Sequence, residues 1–145
     1  MKDLIAKLEK VQLYLENDLK DDVGIQAKNH FKKSFRDEGF TDNKLSKWKE
    51  VKRREGENLK GAASKRKILT GTTKQLQDSI DYNTTHDGVE IVTDVVYAQI
   101  HNEGGQAGRN GSATIPKRQF IGESENLNNK IASEIESEIS KRMND

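Results

Sequence analysis

Apolar residues return every third or fourth position at the start of the chain, at Leu4, Leu8, Val11 and Leu15 and again at Val23, Ala27, Phe31 and Phe35. That spacing predicts amphipathic helices. Steps of four overshoot a helical turn by about 40° each, so one straight helix would rotate its apolar stripe off the core. A break is therefore expected. "NDLKDDVG", Asn17–Gly24, is the place for it, with Asp21 or Asp22 able to cap the second helix and Gly24 weakening a continuous one. The second helix is expected to stop before Gly39, a residue suited to left-handed backbone.

Between Phe40 and Lys67 the apolar positions thin to Leu45, Trp48, Val51 and Leu59 among many Lys, Arg, Gly and Asn. Residues 40–67 read as a basic, extended and partly mobile loop. "LTGTTKQLQDSI" then predicts a turn at Gly71, an N-cap at Thr72 or Thr73, and a short helix that delivers Ile80 into a strand. Alternation at Ile80, Tyr82 and Thr84, the turn "HDG" at His86–Gly88, and alternation at Val89, Ile91 and Thr93 predict a hairpin of Ser79–Thr85 with Val89–Thr93.

Val95–Ile100 is apolar enough to be buried and fits either a strand or a short helix; a helical turn ending at Gly104 is the reading adopted. Residues 104–114, rich in Gly, Ser and Asn, predict a flexible loop that orders only against a partner. Order is expected to resume at Pro116 with a strand over Lys117–Ile121. Leu127, Ile131, Ile135 and Ile139, four apart with charges between, predict a C-terminal amphipathic helix. A period of four rather than 3.5 favours packing on the protein's own sheet over a coiled coil. The fold class expected is α+β, one small antiparallel sheet with the N- and C-terminal helices packed on one face.

Composition narrows the function. At 145 residues the chain fits a single domain, 1–145, and 32% hydrophobic against 34% charged residues predicts a small core under a large polar perimeter. Zero cysteines remove disulfides, thiolate metal sites and cysteine nucleophiles. No apolar run reaches the roughly 20 residues of a membrane helix, so no membrane partner is expected and the cytoplasm is the expected place of synthesis. The net charge of +1 hides segregation: Lys44–Lys67 holds ten Lys/Arg against three Asp/Glu, Ile121–Asp145 three against six.

Candidate chemistry is sparse. His30 on a helix and His86 in a turn lack a second ligand at helical spacing, so no metal site is expected. His101 and Glu103 form the only plausible acid–base pair, yet residues two apart on a helix point away from each other. The glycines of "GGQAGRNGS" lack the Gly-Lys-Ser/Thr ending of a phosphate loop. The serious alternative is a nucleic-acid-binding module in which Lys52, Arg53, Arg54, Lys65, Arg66 and Lys67 track phosphates and Trp48 stacks on a base.

"YAQIHNEGG" (Tyr97–Gly105), a Gly/Ser-rich gap and "IPKRQFIGES" (Ile115–Ser124) together resemble the signature of the virion-morphogenesis family of tailed bacteriophages, the Mu-type tail-completion and neck proteins. Upstream, "FRDEGF" with Trp48, and "ILTG" with "LQDSI", are similar to further segments of that family. The resemblance implies a buried and bracing side of a short helix at Tyr97, Ala98, Ile100 and His101. It implies a helix exit at Gly104 and Gly105, and a returning strand through Ile115, Pro116, Arg118, Phe120 and Gly122. Two departures stand out: Gly71 lies further from Leu76 than the family usually has it, suggesting an added helical turn, and Gln119 stands where a proline is common. The resemblance further implies a non-enzymatic, cofactor-free virion protein at the junction of capsid portal and tail. Its partners there would be connector and tail proteins and further copies in a homo-oligomeric ring. The isolated chain would be monomeric, DNA contact secondary, and the final location the virion neck or tail.

Overall fold

A computed structural model describes residues 1–55 and 61–145. Leu59 and Lys60, read above as part of the basic loop, lie outside the described residues. The N-terminal pattern folds as two helices, α1 (Lys2–Asn17) and α2 (Leu19–Asp37), and the break falls at Asp18, inside the Asn17–Gly24 stretch expected for it. Asp21 and Asp22 sit in the first turn of α2, where their charge suits the helix dipole, without making a side-chain cap. Gly24 is interior to α2 and permits close approach: a Cβ there would lie 2.2 Å from Cδ2 of the Tyr82 ring. The left-handed residue that ends α2 is Glu38, with φ 52°. Gly39 follows it in β1, where a Cβ would meet the Ser46 carbonyl oxygen at 2.5 Å.

The α+β class holds, yet the strands form three separate antiparallel hairpins instead of one sheet. β1 (Gly39–Thr41) pairs with β2 (Leu45–Lys47), inside what the sequence suggested was a free excursion. Beyond it lie a 3-10 turn at Lys52–Arg54, a short α3 (Ala62–Lys65) and α4 (Gln75–Ser79). Lys74, in left-handed backbone, takes the N-cap position of α4 in place of Thr72 or Thr73. β3 (Asp81–Thr84) pairs with β4 (Val89–Val92) as the alternation predicts, shortened at both outer ends.

After α5 (Ala98–Glu103), the glycine-rich stretch is not an open flap: β5 (Gly105–Ala107) pairs with β6 (Ala113–Ile115) around a 3-10 turn at Arg109–Gly111. Lys117–Ile121 joins no strand, because α5 takes its backbone hydrogen bonds. The Arg118 amide donates to the His101 carbonyl at 2.8 Å, and the Phe120 and Ile121 amides donate to Asn102 Oδ1 at 2.8 and 3.0 Å. α6 (Glu125–Asn144) starts where the Ser124 hydroxyl accepts from the Leu127 amide. It packs on α1 and α2 rather than on a sheet, with Leu127 buried, and near its end the Arg142 guanidinium lies 4.2 Å over the ring of buried Tyr14. Among the described residues no helix is long and apolar enough to cross a membrane.

A low aromatic content is offset by concentration. All four phenylalanines and the single tryptophan enter one buried cluster. Phe35, fully buried, meets Trp48 edge-on at 5.6 Å and Phe120 at 5.2 Å between ring centroids. Such contacts add to the burial of large apolar area. The cluster joins α2, the chain around the β1–β2 hairpin and the 117–121 segment, and includes the motif residues Ala98 and Phe120.

Candidate interaction site

The site is built where the end of α5 meets the 117–121 segment and the chain following β2. Ala98 is buried and points α5 into the core. Gly104 ends the helix with φ 76° and ψ 170°, a backbone region open essentially to glycine alone. Its amide donates to the Ile100 carbonyl at 2.7 Å. Gly105 then starts the hairpin opposite Ile115, and Pro116, half-buried, follows the hairpin's last strand, where no ladder needs its missing N–H.

Arg118 is the charged residue that the fold draws inward, at 8% exposure. Its Nε donates to the Lys49 carbonyl at 3.0 Å and its Nη2 to the Glu50 carbonyl at 3.3 Å. Burial and nearby Arg53 disfavour its charge, so these carbonyls are what make its position tolerable. Trp48 completes the clamp: its indole N–H donates to the Gln119 carbonyl at 2.7 Å and its backbone amide to the Glu38 carbonyl at 2.7 Å. The Gln119 side chain folds back to the Ile121 carbonyl at 3.3 Å and lies over Gly122. A proline at position 119 would keep the backbone acceptor that Trp48 uses and lose only this side-chain contact.

Tyr97 departs from the buried role expected of it, being 41% exposed. Its hydroxyl donates to Gln75 Oε1 at 3.3 Å, and its ring meets His101 edge-on at 5.8 Å. His101 is half-buried with Nδ1 unpartnered, and it lines, with Tyr97, Leu69, Gly71 and Leu76, a cavity of about 210 Å³. Typical small-molecule sites begin near about 300 Å³. The structure does not bring His101 and Glu103 together: among the described residues they share no hydrogen bond, and the Glu103 carboxylate accepts from Gln99 at 3.4 Å. No group of three metal-ligating side chains occurs among the described residues.

The six cations of the nucleic-acid reading divide in two. Arg53 donates to the carbonyls of Ala63, Arg66 and Lys67 at 2.9–3.0 Å, tying the two sides of the basic segment together. Arg54 pairs with Glu38 at 2.6 Å and Glu50 at 3.1 Å. Lys67 donates to the Arg36 carbonyl at 2.6 Å, at the electronegative end of α2. Lys52, Lys65 and Arg66 have no side-chain partner among the described residues. Trp48 is buried in the core at 8% exposure, which leaves little of its ring for a base.

Sequence reasoning missed Asn102, whose side chain substitutes for a neighbouring strand. The signal available was an amide residue one position after His101, ahead of an alternating segment with no partner in reach. A second network went unnoticed too. His30 Nε2 lies 3.0 Å from the Thr41 carbonyl oxygen, which can only accept, so Nε2 carries the proton and buried Nδ1 is left bare. Ser124 donates to the same carbonyl at 2.6 Å, and the Asp42 side chain accepts from the Glu125 amide at 2.8 Å. Together they fasten α6 to the end of α2.

Burial lowers the pKa of both His30 and His101; Lys130 and Lys33 add to the effect on His30 against the opposing Thr41 carbonyl and Asp37, and Arg118 adds to that on His101. A histidine held below its ordinary value contributes stability above the unfolded-state pKa of 6.5 and loses it as pH falls through the folded-state value. The urea midpoint is therefore expected to fall between about pH 7.5 and about pH 5.5. A midpoint that is flat or rises over that interval contradicts the assignment.

A family model described as the phage virion morphogenesis family matches residues 17–140. No curated protein and no solved structure matches the chain.

Proposed function

The chain belongs to the phage virion morphogenesis family, and from that premise we propose that it is a single-domain structural subunit of the head–tail junction, completing the tail or neck as one copy in a homo-oligomeric ring. The observation that carries this reading is the inward turn of the motif. Arg118, Phe120 and Trp48 hold the chain to itself, and Gly104 shapes its backbone. What is left for function is the outer surface, and the partners suited to it are other virion proteins. Membership of the family points to a structural rather than a catalytic role.

Charge supports a head-to-tail arrangement. Lys44–Lys67, with ten Lys/Arg against three acids, and Ile121–Asp145, with six acids against three, would attract each other between successive copies of a ring. The nucleic-acid reading loses support instead, since its stacking residue is 8% exposed and half of its six cations are bonded internally. Lys52, Lys65 and Arg66 could still brush DNA passing through a channel.

The test is silencing of the gene in the phage or prophage that carries it. Full heads and assembled tails lacking this subunit are expected to accumulate unjoined, and purified protein added to that lysate is expected to restore infectious particles. Joined particles, or a block before heads are filled, would overturn the proposal. Titration with duplex DNA at two salt concentrations separates the alternative: micromolar or tighter binding with a steep salt slope would support the module instead.

A further inference from the structure

The fold gathers four cations from separate stretches of the chain. Arg36 from the last turn of α2, Arg66 and Lys67 after α3, and Lys74 before α4 line a cavity of about 560 Å³ over Phe35 and Thr70. Among the described residues no carboxylate lines it. Lys67 is held by the Arg36 carbonyl, while the side chains of Arg36, Arg66 and Lys74 make no hydrogen bond or ion pair among the described residues. The like charges around this groove thus go unneutralised within the chain.

The opposite charge lies at the far end of the same helix. Gln75–Gly108 carries six acids and no Lys or Arg. Its β3–β4 hairpin packs along α2 and is tied at the tip by Lys20, which donates to the His86 carbonyl at 2.6 Å. Asp87 and Glu90 stand exposed there, at the end of α2 that also carries Asp21 and Asp22 in its first turn. At about 1.5 Å per residue, Lys20 and Arg36 are about 24 Å apart along α2. A single helix keeps the two poles from meeting, so the neutralising partner of each belongs to another molecule.

We propose that the groove of Arg36, Arg66, Lys67 and Lys74 receives the β3–β4 tip of a second copy, a contact that rests on the head-to-tail ring reading and names its surfaces. Charge selects the occupant. A net charge of +1 gives the molecule as a whole little attraction for DNA, whereas a second copy brings an acidic tip from a segment without Lys or Arg. Helix α6 is the weaker candidate, because its Glu138 is already paired with Lys141 and Arg142. Different patches meet in this contact, so it repeats from copy to copy and closes into a ring where the rotation allows. Exposed ion pairs are individually weak and are screened by salt. The chain is therefore monomeric when dilute and associates at high concentration and low ionic strength.

Sedimentation equilibrium of the full chain from about 5 to about 500 µM, at about 50 mM and about 500 mM salt, tests it. The mass is expected to rise above the monomer at low salt and to fall back at high salt. Arg36→Glu with Lys74→Glu, and Asp87→Lys with Glu90→Lys, are each expected to weaken association at least about tenfold with an unchanged circular dichroism spectrum. All four exchanges together return the net charge to +1 and are expected to restore association, which an effect of overall charge or of misfolding would not do. A monomer over the whole range, or a four-fold variant that stays dissociated, would overturn the inference. So would a groove variant that loses duplex DNA and keeps its self-association, since the groove would then belong to a phosphate backbone. Silencing of the gene reads the head–tail role by itself, so the contact can stand where that role fails, and the role where the contact fails.

Discussion

Phe120→Ala is expected to cost about 3–5 kcal/mol of folding stability, the range for truncating a buried aromatic side chain. Phe120 is 1% exposed and packs on Phe35, itself in edge contact with Trp48, so the void opens between three rings that belong to distant parts of the chain. The site cannot collapse easily. Phe35 is fixed on α2, and the Phe120 backbone is held on either side by the Trp48 indole at Gln119 and the Asn102 side chain. Domains of this size are commonly stable by only about 5–15 kcal/mol, so a substantial part of the total is removed. Urea unfolding followed by circular dichroism measures it. A loss below about 1 kcal/mol would mean that the 117–121 segment is not part of the cooperative core.

The helices and the central hairpin were legible because their signals are periodic and local. Leu4 to Leu15, Val23 to Phe35 and Leu127 to Ile139 each run for several turns, and the β3–β4 hairpin has both alternation and a turn. What escaped was set by long-range partners. Trp48 stands in a basic run and reads as exposed, yet β1 and β2, three residues each, fold it back on Phe35. Strands that short show no period. The Lys117–Ile121 alternation was real, but the groups that satisfy its backbone come from a helix end, through the Asn102 side chain and the His101 carbonyl.

Charge misled for the same reason. A lysine is read as solvated unless a partner is known, and the partners of Lys47 and Lys67 are the last carbonyls of α2, at Asp37 and Arg36. Those carbonyls have no intrahelical donor and favour a cation, so part of the basic segment serves the end of a helix ahead of it in sequence. Arg118 followed the same rule deeper inside: the resemblance named it, and only the fold shows that its targets are the carbonyls of Lys49 and Glu50.

Gly104→Ala is expected to cost about 3 kcal/mol or more, and to loosen the 117–121 segment along with the helix end. Two effects add there. The φ of 76° with ψ of 170° strains any residue bearing a Cβ, and that Cβ would stand 2.9 Å from the Lys117 amide nitrogen and 3.2 Å from the Ile115 carbonyl oxygen. Both contacts are backbone, so no side chain can swing aside. Gly105→Ala is the informative comparison, since a Cβ at 105 meets only the Ile100 side chain, at 3.8 Å. Its cost is therefore expected to be the smaller of the two despite the φ of 150°. Amide hydrogen exchange distinguishes a local from a global effect: in the Gly104 variant, protection of the Arg118, Phe120 and Ile121 amides is expected to fall further than that of the α6 amides. Equal losses in the two glycine variants would mean that backbone strain, and not contact with the Ile115–Lys117 backbone, fixes the residue at this position.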